Sequence, residues 1–334
     1  MCCLVFTCFE NLRFNHRGAI THLRSGVQII ESSFDVGYLF SPAGSGHDRP
    51  PLCRDVSNDE LRGIINYFRH LEICERLFAY DVPLTLAPRL YTRSRHDDGS
   101  SLPEAFFSLD EAHKARLDLT NDVMARDYET RNHRGDAAFW ATPEIMLQHS
   151  CLISRANAMS ATYLAFLAGP HAPKPETREY ASSQLDMLQI KCMESVIAMM
   201  PLRSRDCNES NISVTLLEGT LFYAEKLYDT RMAFTKNAYI PLDFTAETGI
   251  VAPLYFSLVY ATDPEHKARI MRLLSSCTAR EGPWDGRSLA KLIQRSCEAS
   301  VLAEKTSSTV DPLRRWGGNM DCSGLFSALE VTSW

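Results

Sequence analysis

The stretch REGPWDG, Arg280 to Gly286, gathers Arg280, Glu281 and Asp285 around Trp284. Two carboxylates beside a guanidinium are the groups an acid–base or ion-binding site would use, and a tryptophan could wall it. The same letters also spell a corner. Cys277 ends a helical stripe of Ile270, Met271, Leu273 and Leu274, and Gly282 and Pro283 prevent that helix from continuing. Trp284 can bury a large area between two helices. Asp285 can cap a following helix that carries Leu289, Leu292, Ile293 and Cys297. The corner needs no ligand and is the preferred reading. It makes Arg280, Glu281, Gly282, Trp284 and Asp285 structural markers rather than a catalytic set.

Three other stretches invite a chemical reading and each gives way to a simpler one. AGSGHDR, Ala43 to Arg49, is the closest approach to a phosphate-binding loop, but it lacks the lysine and does not join a strand to a helix. Nor is it a nucleophile elbow around Ser45, because Ala43 and His47 stand where glycines belong. His16 and His22 are six residues apart, which on a helix turns their rings away from one another. DEAH, Asp110 to His113, places the histidine one turn from Asp110, a spacing for a surface ion pair. The cysteines contain no two-residue gap of the zinc-knuckle or redox kind. No catalytic residue, cofactor or metal ligand is expected, and the chain is not expected to be an enzyme.

The elements that would position these residues are helical throughout. Leu4 to Leu12 and Ile20 to Ile30 read as an antiparallel pair around a short polar turn. A Pro/Gly/Ser-rich loop at 41–58 ends at Asn58, a cap for a helix with Leu61, Ile64, Ile65, Phe68, Leu71, Ile73 and Leu77 as its buried stripe. After an irregular stretch at 81–103, Ser108 and Glu111 form a capping box. Further helices are expected at 138–168, 177–200, 213–234, 247–261, 264–278 and 287–304. NISVTLL alternates like a strand, yet Thr215 and Glu218 make a second capping box, which favours helix. The expected class is all-α, paired antiparallel helices in a curved array or irregular bundle.

Composition limits the partners. The chain has 334 residues, is 45% hydrophobic and 23% charged, and carries a net charge of -6. Lys+Arg is 35 against 41 Asp+Glu, with no basic run long enough to neutralise a phosphate backbone, so direct DNA binding is not expected. The 11 cysteines, odd in number and scattered, suit a reducing compartment. No apolar window reaches the ~20 residues of a membrane span. The opening MCCLVFTCFE lacks the basic start and cleavage pattern of a signal peptide.

Three segments together resemble the regulatory (middle homology) region of fungal zinc-cluster transcription factors. CLVFTCFENLRFNHRGAITHLRSGVQII, Cys3 to Ile30, is similar at Phe9, Glu10, Asn15, Ala19, His22, Leu23 and Gly26. FFSLDEAHKARLDL, Phe106 to Leu119, resembles a second family segment, and ARIMRLLSSCTAREGPWDGRSLAKLIQ, Ala268 to Gln294, a third with its Glu-Gly-x-Trp-Asp-Gly core. The resemblance implies an all-helical regulatory domain over 1–304, followed by a C-terminal tail at 305–334. It also implies a nuclear protein, with the cytoplasm as the alternative, associated with transcription regulation and a secondary-metabolite gene cluster. The family's six-cysteine DNA-binding cluster has no counterpart here, so its zinc ligands and DNA contacts do not carry over. The expectation is a transcription-regulator-like chain, truncated at its N-terminus or naturally cluster-less. It would act through protein partners such as a related transcription factor, or by sensing an effector of unknown identity. A cytosolic helical scaffold and an enzyme with a non-motif active site are the alternatives.

Overall fold

The structure is a computed structural model and describes residues 2–13, 15–33, 58–78, 102–175, 177–201, 212–237, 244–245, 249–261, 263–277 and 280–304. The tail at 305–334, AGSGHDR, and most of the 41–58 and 81–103 stretches lie outside the described residues. The fold is all-α. The helices are α1 (Cys2–Leu12), α2 (His16–Ser33), α3 (Asn58–Phe78), α4 (Leu109–Thr130), the short α5 (Ala137–Trp140), α6 (Pro143–Ala168), α7 (Arg178–Met199), α8 (Ile212–Asn237), α9 (Val251–Tyr260), α10 (Pro264–Ser276) and α11 (Gly286–Glu304).

Local chemistry explains where most of them start. Asn15 caps α2, its Oδ1 accepting from Gly18 N at 3.1 Å, and Glu10 accepts from Asn15 Nδ2 at 2.6 Å. Ser108 Oγ accepts from Glu111 N at 3.2 Å, as the capping box requires, but Glu111 reaches back to Phe107 N at 3.0 Å, one residue beyond the usual partner. Thr177 caps α7 and Asp263 caps α10, with Pro264 as the first helical residue. The helix expected over 138–168 is two: α5 ends at Trp140, and α6 restarts at Pro143 behind the cap residue Thr142. Asn58 opens α3, and its side chain lies outside the described residues, as do those of Ile73 and Leu77. NISVTLL is helical from Ile212, but Thr215 then sits inside α8 and caps nothing. Glu218 pairs instead with Arg269 across two bonds of 3.0 and 3.1 Å, a partner no local pattern could announce.

Two cores form. The larger joins α4 to α11 around α7, where Met187, Leu188 and Ile190 are fully buried beside the buried polar residues Ser183, Gln184 and Asp186. From Tyr180 to Met199 no residue of α7 is exposed, which makes this helix the centre of an irregular bundle rather than one layer of a curved array. The smaller core consists of Leu4, Leu23, Val27, Ile30, Leu61, Ile65, Phe68 and Leu71, on α1, α2 and α3. Arg69 on α3 reaches Asp118 on α4 at 3.8 Å.

The sequence reading missed a small sheet. β1 (Phe244–Thr245) pairs in parallel with β2 (Arg280–Glu281), which pairs antiparallel with β3 (Trp284–Asp285). Gly282 takes φ 55 at the first central position of the β2–β3 turn, which suits a type II′ hairpin with Pro283 following. Gly282 and Pro283 therefore do not terminate a helix. They turn a two-residue hairpin inserted between α10 and α11.

Candidate functional site

The hairpin places the charged residues of the marker in unequal surroundings. Glu281 is 1% exposed, and its carboxylate accepts from three successive backbone N–H groups: Gly249 at 3.0 Å, Ile250 at 2.8 Å and Val251 at 2.8 Å. These are among the unpaired donors at the start of α9, whose own cap residue, Ile250, has no oxygen to offer. Arg231 approaches the same carboxylate at 3.4 Å. Burial pushes the Glu281 carboxyl up, while Arg231 and the backbone donors pull it back toward the ionised form. Gly249 has no side chain for a plain reason: a Cβ there would lie 2.0 Å from Glu281 Oε1.

The neighbours of Glu281 close two more helix ends. Arg280 Nη1 donates to the Leu12 carbonyl at the end of α1, at 3.0 Å. Burial lowers Arg280 to about 10, against the opposing pull of Asp285, so it remains a cation at neutral pH. Asp285 Oδ1 accepts from Ser288 N at 2.8 Å and caps α11. Trp284, 2% exposed, sets its ring 5.4 Å from that of Tyr255 on α9. The sequence reading put Trp284 between α10 and α11; the hairpin turns it onto α9 as well. One short segment thus secures α1, α9 and α11. Both oxygens of Glu281 are occupied, and its side chain does not meet water.

A second polar group was not anticipated. Asp186, 1% exposed, accepts from Tyr163 Oη at 2.8 Å and from His113 Nδ1 at 3.0 Å, and Arg116 Nε lies 3.0 Å away. Arg116 also donates to Gln189. Burial would raise Asp186, but Arg116, His113 and Tyr163 hold it below the usual carboxylate range. Burial and Asp186 together push the Tyr163 phenol upward. His113 therefore pairs with Asp186 across 73 residues, not with Asp110 as its spacing suggested. A histidine–aspartate pair can serve as a general base, but only if the second ring nitrogen is open. Arg116 Nη2 lies 3.3 Å from both ring nitrogens, beside the ring rather than in line with Nε2, and the His113 side chain is 37% exposed.

Two further places complete the survey. Glu75 on α3 is buried and accepts one bond, from Asn11 Nδ2 at 3.0 Å, while Oε2 has no hydrogen-bond partner. Burial pushes its carboxyl up to about 7, against the pull of Asn11. A cavity of about 20 Å³ lies between α7, α8 and α9, lined by residues that include Cys192, Met199, Leu217, Thr220 and Phe256. That is room for about one water molecule. His16 is buried at the start of α2, where burial and Arg280 lower it to about 4, whereas His22 stacks on Phe6 with ring centres 5.2 Å apart. Among the described residues no group of three or more His, Cys, Asp or Glu side chains could hold a metal ion, and no helix is long and apolar enough to cross a membrane. No family model, curated protein or solved structure matches the chain.

Proposed function

We propose that the chain is a transcription-regulator-like helical domain that works through protein contact. The observation that carries this reading is the outer face of α1. Val5, Phe6, Phe9 and Leu12 are 64%, 50%, 48% and 49% exposed on a helix of eleven residues. Large apolar side chains at that spacing are the anchors by which an amphipathic helix meets a protein partner. The cavity between α7, α8 and α9 holds about one water, so an effector seated there would have to part the helices. An enzyme has less support, because the sequence carries no catalytic motif. A nuclear location and a link to secondary metabolism follow from the resemblance alone.

The test tethers the full chain to a heterologous DNA-binding domain upstream of a reporter. The expected result is a change in reporter output that Phe9→Asp abolishes while the circular-dichroism spectrum is unchanged. An inert wild-type fusion, present in the nucleus at normal abundance, would count against regulation and favour the scaffold reading.

A further inference from the structure

The buried acids of this protein fall into two kinds. Asp122, Asp127, Asp186 and Glu281 each lie beside an arginine, and Glu72 stands in the field of Arg69. Glu75 is 0% exposed, and no cation pairs with it among the described residues. Its one bond comes from Asn11, across the contact between α3 and the end of α1. An ionised Glu75 would exchange its hydration for a single amide donor, which is the costliest way to bury a carboxylate.

Two oxygens at this contact lack a partner, and they belong to the same two side chains. Glu75 Oε2 and Asn11 Oδ1 are both buried with no hydrogen bond. Asn11 Nδ2 meanwhile donates to Glu75 Oε1 at 3.0 Å. A carboxyl and an amide are planar groups of similar width, so one bond between them brings their second atoms toward each other. Here both second atoms are acceptors, which repel unless a proton lies between them. A protonated Glu75 supplies it: Oε2–H donates to Asn11 Oδ1 while Oε1 accepts from Asn11 Nδ2. One proton satisfies both oxygens and removes the unpaired charge.

We infer that Glu75 and Asn11 form a proton-dependent latch, an acid–amide pair joined by two hydrogen bonds that fastens the end of α1 to α3 and opens when the proton leaves. Loss of the proton removes the Oε2–H bond, sets two acceptors face to face and leaves a buried negative charge. Water can relieve that charge once the last turn of α1 lifts from α3. The surrounding groups do not neutralise it. Cys8 on α1 is a thiol that burial and then Glu75 push up. Glu72, one turn back on α3, is itself an acid. Beyond the end of α1, burial and Arg280 lower His16 to about 4, and Arg280 gives Nη1 to the Leu12 carbonyl. Burial lifts the Glu75 carboxyl to about 7, against the pull of Asn11. The latch is therefore shut below the ordinary glutamate value of about 4.3 and is lost as pH rises through about 7. It operates whether or not α1 meets a partner.

The test follows the full chain from pH 5 to pH 8 by carbon-13 NMR of its glutamate carboxyls and by amide hydrogen exchange. The Glu75 carboxyl should show the protonated acid at pH 5, where glutamates in water are mostly ionised. The amides of Cys8 to Leu12 should lose roughly 80-fold in protection between pH 5 and pH 8, after correction for the intrinsic rise of exchange with pH. Glu75→Gln puts an N–H where the O–H stood and cannot ionise, so protection of the same amides should stay level over that range. Asn11→Ala removes both bonds of the pair and should already show at pH 5 the loosened α1 end that wild type reaches at pH 8. A Glu75 carboxyl ionised at pH 5 overturns the proposal. So does wild-type protection that stays level with pH, or an Asn11→Ala variant that protects α1 like wild type at pH 5.

Discussion

Glu281 and Glu75 are both shut away from water, and they meet opposite surroundings. Glu281 faces three backbone donors and a guanidinium, so charge is supplied from several directions at once. Glu75 faces one amide donor and leaves an oxygen without a partner. The first is a carboxylate used as a remote helix cap. The second is an acid that the fold favours in its protonated form. Burial raises both carboxyls, and the donors around each decide how strongly that rise is opposed: three backbone N–H groups and a guanidinium at Glu281, one amide at Glu75.

Substitutions test that contrast. The largest effect should come from the packing that holds Glu281 in place. Trp284→Ala removes a fully buried indole and should cost about 3–5 kcal/mol, with α9 and α11 losing amide protection together. Unchanged stability combined with lost partner binding would show that the corner is a binding site after all. Glu281→Gln should cost about 3 kcal/mol in urea unfolding at pH 7, because an amide NH2 cannot serve three N–H donors and Arg231 loses its counter-charge.

Glu75→Gln should act in the other direction. In the wild type, the folded carboxyl titrates near 7 and the unfolded one near the ordinary glutamate value of about 4.3. Between those values the folded state holds the extra proton, so stability is full at low pH and falls as pH rises through the window. The glutamine variant should lack that slope and exceed the wild type by about 3 kcal/mol at pH 8, while matching it near pH 4. Equal stabilities at pH 8 would mean that Glu75 is ionised in the fold at no cost. The smallest effect should be that of Ser108→Ala, a local cap in solvent, at about 1 kcal/mol and independent of pH over the same window. If it matched Glu281→Gln, remote and local caps would not differ in kind.

What could be read from the sequence follows the range of each interaction. Periodicity announced the helices, and Leu61, Ile65, Phe68 and Leu71 are buried as their spacing required. Local caps were legible where donor and acceptor are close in the chain, as at Ser108 and Asp285. Thr215 with Glu218 had the same letters and failed, since Glu218 is drawn to Arg269, 51 residues away. His113 was assigned to Asp110 for want of any signal from Asp186. The marker was recognisable as a unit, but its sheet was not: strands of two residues have no period, and β1 comes from a distant part of the chain. Nothing around Glu281 foretold α9. The nearest hint was negative, a helix that begins after Ile250 with no cap of its own.

The bond from Arg280 to the Leu12 carbonyl spans 268 positions, and that span is also an interval of time. A ribosome adds about 5–20 residues each second, so the carbonyl waits roughly 13–54 s between its own synthesis and that of its partner. Throughout that wait Val5, Phe6 and Phe9 stand on a helix whose end is not yet secured. α1 is made long before the residue that fastens its end, which makes the newborn chain, more than the finished one, the state in which α1 needs a companion.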